Sequence, residues 1–238
     1  MPFDDKVALV AGGTGALGRE VAMALLEAGA RVAVTYRRAD EFQAFVAAAE
    51  RTGAPAPEGA SVDVTDVTAV ETYVAELAAR HGRLDILVNA VGGYGGGKNV
   101  WEAGADDYDR MMALNFKAGF ALVHAIVPVM IRQNRGWIVN VASKAAYGHS
   151  AGAALYAASK AAALVLMESL AEEVKAYNIN VNSIVPSIFD TAANRQAMPK
   201  ADYSKWPKPE QIARVVLFLC SEDARLIHGA AIPVYGRS

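Results

Sequence analysis

The chain has 238 residues, of which 53% are hydrophobic and 20% charged, with a formal net charge of −2. This length and composition predict one soluble globular domain, residues 1–238, with a large core. The slightly acidic balance argues against a protein whose main partner is nucleic acid.

Targeting and redox signals are weak. The N-terminus enters a strand without an apolar leader, so we expect a cytoplasmic protein. The longest apolar run, 116–131, is interrupted by Lys117, His124 and Pro128, so we expect no membrane span. Cys220 has no cysteine to pair with, and the four histidines lack metal-ligand spacing, so we expect neither an internal disulfide nor a metal centre.

Strand-like and helix-like segments alternate along the chain. The predicted strands are 7–11, 32–36, 61–62, 84–88, 137–141, 179–184 and 231–234, and the predicted helices are 17–27, 42–51, 67–80, 108–131, 154–177 and 209–221. Such alternation predicts an α/β fold, with a single Rossmann-type, doubly wound parallel sheet of about seven strands and helices on both faces. Irregular segments 92–104, 144–153 and 187–208 follow strands and should surround the substrate site.

The first strand ends in a glycine-rich turn, Gly13-x-Gly15-x-x-Gly18. Between a strand and an amphipathic helix, this pattern predicts a dinucleotide site, because glycines let phosphates approach N–H groups at the helix N-terminus. The alternative is a glycine-rich turn without a ligand. The predicted cofactor contacts are Gly12, Gly13, Thr14, Gly15, Ala16, Leu17 and Gly18.

The second strand ends in basic residues, since Tyr36 is followed by Arg37 and Arg38. An acid at this place would bind the ribose 2′-hydroxyl of NAD(H), whereas two guanidiniums can pair with a 2′-phosphate. The sequence therefore predicts NADP(H) in preference to NAD(H). The alternative is that both arginines are solvated surface charges.

The ends of the third and fourth strands complete the predicted nucleotide site. We expect Asp63 within reach of the adenine amino group and Val64 against the ring. Asn89, Ala90 and Val91 end the fourth strand, where small residues leave room for the cofactor ribose or form a plain strand-end turn.

A hydroxyl, a phenol and an ammonium occur together between residues 143 and 160. Tyr156 and Lys160 are four residues apart and share one face of a helix, so the ammonium should lower the pKa of the phenol. Ser143 follows the strand 137–141, in a loop that could bring its hydroxyl beside Tyr156. This trio could protonate a carbonyl oxygen while a cofactor delivers hydride. The alternative for Tyr156 and Lys160 is a solvent-facing helical pair.

With these motifs in place, the chain resembles the short-chain dehydrogenase/reductase family over nearly its whole length. The family's catalytic Ser, Tyr-x-x-x-Lys and upstream helix Asn match Ser143, Tyr156, Lys160 and Asn115. The resemblance implies that Tyr156 is the general acid/base and that Ser143 holds the substrate oxygen. It also implies that Lys160 grips the nicotinamide ribose and tunes Tyr156, and that Asn115 holds a water in the proton path. Without the resemblance, Asn115 reads as a satisfied buried amide.

The same resemblance covers two strand-end motifs, 89–92 and 181–191. It assigns Pro186, Ile188 and Thr191 to the cofactor site, the last two beside the nicotinamide carboxamide. Three features depart from the family pattern, namely Ala16 in the glycine turn, Ser187 after Pro186, and the C-terminal motif, where Tyr235 and Arg237 replace the family's Asp and last Gly. They affect the expected shape of the turn, the carboxamide loop and the C-terminal contacts.

Segments 12–18, 92–97 and 190–206 also resemble quinonoid dihydropteridine reductases, which are members of the same family. In that group an aromatic residue sits beside the pterin at the position of Tyr94. Those reductases typically carry an acid after the second strand and lack the hydroxyl that Ser143 provides, so pterin reduction remains an alternative.

Aromatic residues in the three loops could line an apolar pocket for a small-molecule substrate or simply pack the loops. They are Tyr94, Trp101, Tyr147, His149, Phe189 and Trp206. Helices 108–131 and 154–177 are apolar on more than one face, and the family resemblance implies a homodimer or homotetramer there. Two other classes stay open, a non-catalytic dinucleotide-sensing module and an isomerase or epimerase with tightly held cofactor.

Overall fold

The computed structural model describes residues 3–237 and contains a seven-stranded parallel sheet. Residues 1, 2 and 238 of the predicted domain lie outside the described part. The spatial strand order is β3-β2-β1-β4-β5-β6-β7, so the order reverses beside β1, where doubly wound sheets bind nucleotides. The strands are β1 (Val7–Ala11), β2 (Arg31–Tyr36), β3 (Glu58–Ser61), β4 (Ile86–Asn89), β5 (Gly136–Val141), β6 (Ile179–Pro186) and β7 (Ala231–Val234).

Helices cover both faces of the sheet, as predicted. The α3, α5 and α6 helices pack on one face, and α1, α2 and α8 pack on the other. The helices are α1 (Ala16–Glu27), α2 (Ala39–Thr52), α3 (Val67–His81), α4 (Ala105–Met112), α5 (Ala118–Gln133), α6 (Ala154–Val174), α7 (Ala192–Ala197) and α8 (Pro209–Leu219).

The central strands are buried on both sides, which explains their continuous apolar sequences. In β1, Val7, Leu9 and Ala11 enter the core beneath α3, α5 and α6, while Ala8 and Val10 enter the opposite core. Successive side chains of a strand point to opposite faces, so a strand covered on both faces must be apolar throughout.

Beyond shifts of one to three residues at other segment ends, three predicted segments differ from the structure. The third strand is Glu58–Ser61 rather than 61–62, because an edge strand with half its residues exposed carries no apolar run to mark it. The predicted helix 108–131 is the pair α4 and α5, joined by a π-helical turn at Ala113–Lys117. Segment 187–208 is not wholly irregular, since it contains α7, which Thr191 caps by accepting a hydrogen bond from the Asn194 N–H.

Two helical stretches, Ala105–Gln133 and Ala154–Tyr177, are long and apolar enough to cross a membrane by length and composition alone. About half of each apolar window is buried inside the protein, at 50% and 44% respectively. Core helices of soluble proteins pass the same test, so this finding is weak evidence for a membrane span, and the expected absence of one stays a prediction.

Candidate active site

The glycine-rich turn is packed against β2 by backbone contacts. The N–H of Gly12 donates to the Thr35 hydroxyl (3.0 Å) and the N–H of Gly13 donates to the Thr35 carbonyl (3.2 Å). A Cβ on Gly13 would lie 2.5 Å from the Val34 side chain, and one on Gly18 would lie 2.2 Å from the Gly12 carbonyl oxygen. The turn therefore requires glycine at these positions. Thr35 was not predicted as a site residue, because nothing marks it until β2 lies beside the turn.

The turn fits the diphosphate of a dinucleotide. Helix α1 begins after Gly15 with no side-chain cap and no acidic residue in its first turn, so its leading N–H groups lack a side-chain acceptor. An anion satisfies such groups and interacts favourably with the helix dipole. Leu17 is buried in the core, so its side chain cannot face a ligand, and only its backbone is available. Ala16 is exposed.

Tyr36 and Arg37 lie where the sequence predicts the adenosine ribose. The ring of Tyr36 stacks on Phe42, with centroids 4.7 Å apart. The side chain of Arg37 is exposed and forms no ion pair with another residue in 3–237. Arg37 is therefore a cation available to an anionic ligand.

Arg38 is engaged by acids of the first turn of α2. Its guanidinium donates two hydrogen bonds to the carboxylate of Asp40, one from Nε at 3.1 Å, and its Nε lies 3.5 Å from Glu41 Oε1. These contacts raise the pKa of Arg38, the hydrogen bonds to Asp40 contributing most. The other oxygen of Glu41 accepts a hydrogen bond from the Thr14 hydroxyl (3.2 Å), which links α2 to the glycine turn.

Asp63 and Val64 follow β3. Asp63 is exposed, and its Oδ1 accepts hydrogen bonds from the hydroxyl (2.7 Å) and the N–H (2.9 Å) of Thr65. These bonds hold the pKa of Asp63 below its ordinary value, so the carboxylate stays charged and can accept from an amino group. Val64 is largely buried in the core, where its side chain contributes to packing.

The Asn89 side chain stabilises the strand end. Its Nδ2 donates to Asn140 Oδ1 (2.9 Å) and its Oδ1 accepts from the Val91 N–H (3.2 Å), so its polar groups are used within the protein. Ala90 and Val91 lie against the glycine turn, because a Cβ on Gly12 would be 3.3 Å from the Ala90 carbonyl and 3.2 Å from Val91 Cγ2. The end of the fourth strand thus packs directly against the glycine turn.

Ser143 and Tyr156 are brought together as predicted, with their side chains hydrogen-bonded to each other. The expected lowering of the Tyr156 pKa by Lys160 is not found. Burial raises the pKa of Tyr156, the hydrogen bond to Ser143 opposes that rise, and Tyr94 adds to it. Desolvation outweighs the hydrogen bond from Ser143, because burial disfavours the charged phenolate.

Lys160 is buried, and its Nζ donates to the Val141 carbonyl at the end of β5 (3.0 Å). Burial lowers the pKa of Lys160 from 10.5 to about 8. A Cβ on Gly92 would lie 2.8 Å from the Lys160 Nζ and 3.0 Å from Asn115 Oδ1. Gly92 thus leaves room for the Lys160 ammonium and the Asn115 amide, a role that the sequence did not reveal.

Asn115 pins the loop after β4 to helix α6 from the π-helical turn. Its Oδ1 accepts from the Gly93 N–H (3.0 Å), and its Nδ2 donates to the Gly93 carbonyl (3.1 Å) and to Ser159 Oγ (3.1 Å). Ser159 in turn donates to the Tyr156 carbonyl (2.8 Å). Asn115 is therefore a satisfied buried amide one step from Tyr156, and the water that the resemblance assigns to it stays a prediction. Ser159 was missed because its role depends on Asn115 facing it.

The predicted pocket aromatics do not form one cluster. Tyr94 lies against Tyr156, with ring centroids 5.1 Å apart in an edge-to-face arrangement. Trp206 is buried, with its ring 4.9 Å from that of Tyr203, and Phe189 packs against the core, so both serve loop packing. Tyr147, His149 and Trp101 are exposed on their loops.

The C-terminal strand end is tied to the predicted carboxamide segment. Pro186 is buried at the end of β6, and the hydroxyl of Ser187 donates to the Tyr235 carbonyl (3.0 Å). The Lys144 ammonium lies 4.9 Å from the centre of the Tyr235 ring. Ser187 and Tyr235, which depart from the family pattern, therefore link the loop 187–208 to Lys144 in the loop 144–153. Ile188 and Thr191 lie just after Ser187 in the first of these loops.

A cavity of about 280 Å³ lies between segment 92–104, α4 and the start of α6. Apolar side chains such as Met111 and Leu155 line it together with the charged side chains of Lys98, Asp107 and Arg110. Within residues 3–237, no group of three or more His, Cys, Asp or Glu side chains could hold a metal ion.

Known proteins are similar to this chain in sequence and in fold. The sequence profile of short chain dehydrogenases matches residues 6–202. The chain is 29% identical to a 3-oxoacyl-(acyl-carrier-protein) reductase of Thermotoga maritima, over 99% of this chain and 98% of that protein. It is 34% identical to dehydrogenase/reductase SDR family member 4 of Bos taurus, over 100% of this chain and 88% of that protein.

Solved structures agree with these sequence matches. A short-chain type dehydrogenase/reductase from Mycobacterium ulcerans superposes with a TM-score of 0.93 at 27% identity, covering 99% of this chain and 90% of that one. An NAD+-bound xylitol dehydrogenase has a TM-score of 0.91 at 28% identity, covering 99% of this chain and 100% of that one. The similarity therefore extends over the domain and is not confined to the glycine turn.

Proposed function

Because the chain belongs to the short-chain dehydrogenase/reductase family, we propose that it is an NADP(H)-dependent oxidoreductase acting on a carbonyl/alcohol substrate. The observation that carries this proposal is the hydrogen-bonded pair Ser143 and Tyr156 with the buried Lys160 at the end of β5, together with helix α1, which begins without a side-chain cap after the glycine turn. A non-catalytic dinucleotide-sensing module would not need the first three groups together.

Tyr156 is proposed to give its proton to the substrate oxygen during reduction. When bound, the nicotinamide cofactor supplies the hydride. Since burial raises the pKa of Tyr156, the phenol stays protonated at neutral pH and is a donor rather than a base in this state. We infer that Ser143 holds the same oxygen and that the Lys160 ammonium replaces the transferred proton.

The preference for NADP(H) is proposed from the end of β2. Arg37 is exposed and forms no ion pair within residues 3–237, so its guanidinium can donate hydrogen bonds to a 2′-phosphate without breaking an existing ion pair. Arg38 is adjacent but already engaged by Asp40 and Glu41. The expected advantage of NADP(H) thus depends mainly on Arg37.

We expect net NADPH oxidation with at least one carbonyl compound from a panel of quinonoid dihydropterin, 3-oxoacyl thioesters, quinones, small ketones and sugars. Tyr156→Phe should lower kcat by about 10²- to 10⁴-fold, the usual contribution of a positioned acid. NADPH should still bind, because only the proton donor is removed. Steady-state kinetics and a cofactor titration measure the two effects.

The matched control is Tyr177→Phe, the same chemical change on an exposed residue beyond the far end of α6. Its kcat should equal that of the wild type within about twofold. Retained activity in Tyr156→Phe would contradict the proton-donor role. Absence of turnover across a broad panel, despite cofactor binding, would favour the sensing module.

Quinonoid dihydropterin is a second candidate substrate because of Tyr94. Its ring lies directly against Tyr156, so a planar substrate that approaches Tyr156 would meet an aromatic surface. Ser143 argues for a simple carbonyl, because its hydroxyl is bonded to Tyr156 where it can also hold a substrate oxygen. The substrate panel decides between them.

We further propose that the enzyme works in the cytoplasm on a small molecule, without a membrane or nucleic acid partner. The weak net charge of −2 supports this proposal. Cys220 is a free and buried thiol, which is consistent with a reducing compartment, where a cysteine packs in the core as a small apolar residue.

A further inference from the structure

The corner between β2 and α2 carries balanced charges. Arg37 and Arg38 are followed by Asp40 and Glu41, and all four side chains are exposed. The formal charges of these two arginines and two acids cancel. A dianionic phosphate entering the corner would meet two carboxylates as well as two guanidiniums, so the number of arginines alone does not determine how strongly it binds.

The two acids hold different positions. Asp40 directs its carboxylate at Arg38 in a two-pronged ion pair, so its charge is matched by a neighbour. Glu41 instead reaches across to the glycine turn, where its Oε2 accepts from the Thr14 hydroxyl (3.2 Å) while Oε1 stays 3.5 Å from Arg38 Nε. Glu41 is thus the acid that connects the glycine turn, through Thr14, to Arg38 after β2.

We propose that Glu41 sets the balance between NADP(H) and NAD(H) in this protein. Its carboxylate can accept a hydrogen bond from the 2′-hydroxyl of NAD(H), and the same charge opposes the 2′-phosphate that Arg37 attracts. The protein therefore uses both cofactors, with a smaller NADP(H) preference than its two arginines would give alone. This inference rests on the proposed function, because it requires a nicotinamide dinucleotide in the turn.

Glu41→Gln tests this role with little structural change. The glutamine amide oxygen can still accept the hydrogen bond from Thr14, so only the charge is removed. Dissociation constants for NADPH and NADH are measured by fluorescence titration of the whole protein without substrate. The ratio of the NADH constant to the NADPH constant should rise about 5- to 10-fold, chiefly through tighter NADPH binding. The rise should shrink at about 0.5 M salt, where exposed charges are screened.

Glu50→Gln is the matched control. Glu50 is exposed near the other end of α2, so this variant has the same net charge on the same helix. Its ratio should stay within about twofold of the wild type. An unchanged ratio in Glu41→Gln, or an equal rise in Glu50→Gln, would overturn the proposal.

The wild-type ratio separates this inference from the proposed function. A wild type that favours NADH, combined with a Glu41→Gln shift toward NADPH, would refute the NADP(H) preference and support the role of Glu41. A protein that binds neither cofactor would refute both.

Discussion

Lys160 is a buried cation whose pKa burial lowers from 10.5 to about 8. Since the unfolded chain keeps the ordinary pKa, it binds more protons than the folded chain between about pH 8 and pH 10.5. The free energy of unfolding should therefore rise with pH across this window. Without cofactor, the free energy of unfolding of the wild type should increase across this window by on the order of 2–3 kcal/mol more than that of Lys160→Met, which lacks the titrating group.

Urea denaturation of both proteins at several pH values between 7 and about 10.5 measures this increase. Subtracting the values of the variant from those of the wild type removes the contribution of the other titrating residues. Parallel pH curves for the two proteins would show that Lys160 does not carry the lowered pKa. The comparison also separates burial from catalysis, because it is made without substrate.

In the glycine turn, the cost of replacing a glycine depends on which atoms pack against it. A Cβ added to Gly18 would lie 2.2 Å from the Gly12 carbonyl oxygen, which belongs to the backbone. A Cβ added to Gly15 would lie 3.3 Å from the same oxygen. Gly18→Ala should destabilise the protein by about 2 kcal/mol through overpacking that backbone cannot relieve. Gly15→Ala should cost under about 1 kcal/mol.

Urea unfolding of the two variants gives the comparison directly. Equal stabilities would mean that the turn relaxes around Gly18 and that the close approach to Gly12 is not rigid. The pair tests the turn as a packed element without depending on which cofactor it binds.

The whole molecule leaves apolar side chains uncovered on its two longest helices. Phe120 on α5 is 40% exposed and Val165 on α6 is 59% exposed. We propose that these faces join copies of the chain in a homodimer or homotetramer, because contiguous apolar surface is normally covered. Sedimentation equilibrium should give two or four times the chain mass of 25.1 kDa.

Phe120→Glu combined with Val165→Glu should shift the assembly toward the single-chain mass, because charges cannot be buried unpaired in an interface. The double variant should keep its fold, since both side chains are exposed in the single chain. A wild type of 25.1 kDa at micromolar concentration would refute the assembly.

The α/β class, the number of strands and both helical layers were predictable from the sequence, because they follow from the alternation of strand-like and helix-like segments. The approach of Ser143 to Tyr156 was one that the loop after a strand allows. The sequence could not place the edge strand β3, whose short half-exposed sequence has no distinctive pattern. It also misjudged the Tyr156 pKa, since the spacing of Tyr156 and Lys160 suggests an effect of charge but does not reveal the burial that raises the pKa.

The residues that meet across elements could be identified only once the strands and helices were packed. Ser159 reaches Asn115 across 44 positions and Thr14 reaches Glu41 across 27, so neither contact has a local signal. The same holds for the loop aromatics, of which Tyr94 reached Tyr156 while Trp206 became buried. Local patterns fix each segment's conformation, but long-range contacts depend on how the segments pack, and packing sets the burial and charge on which the chemistry depends.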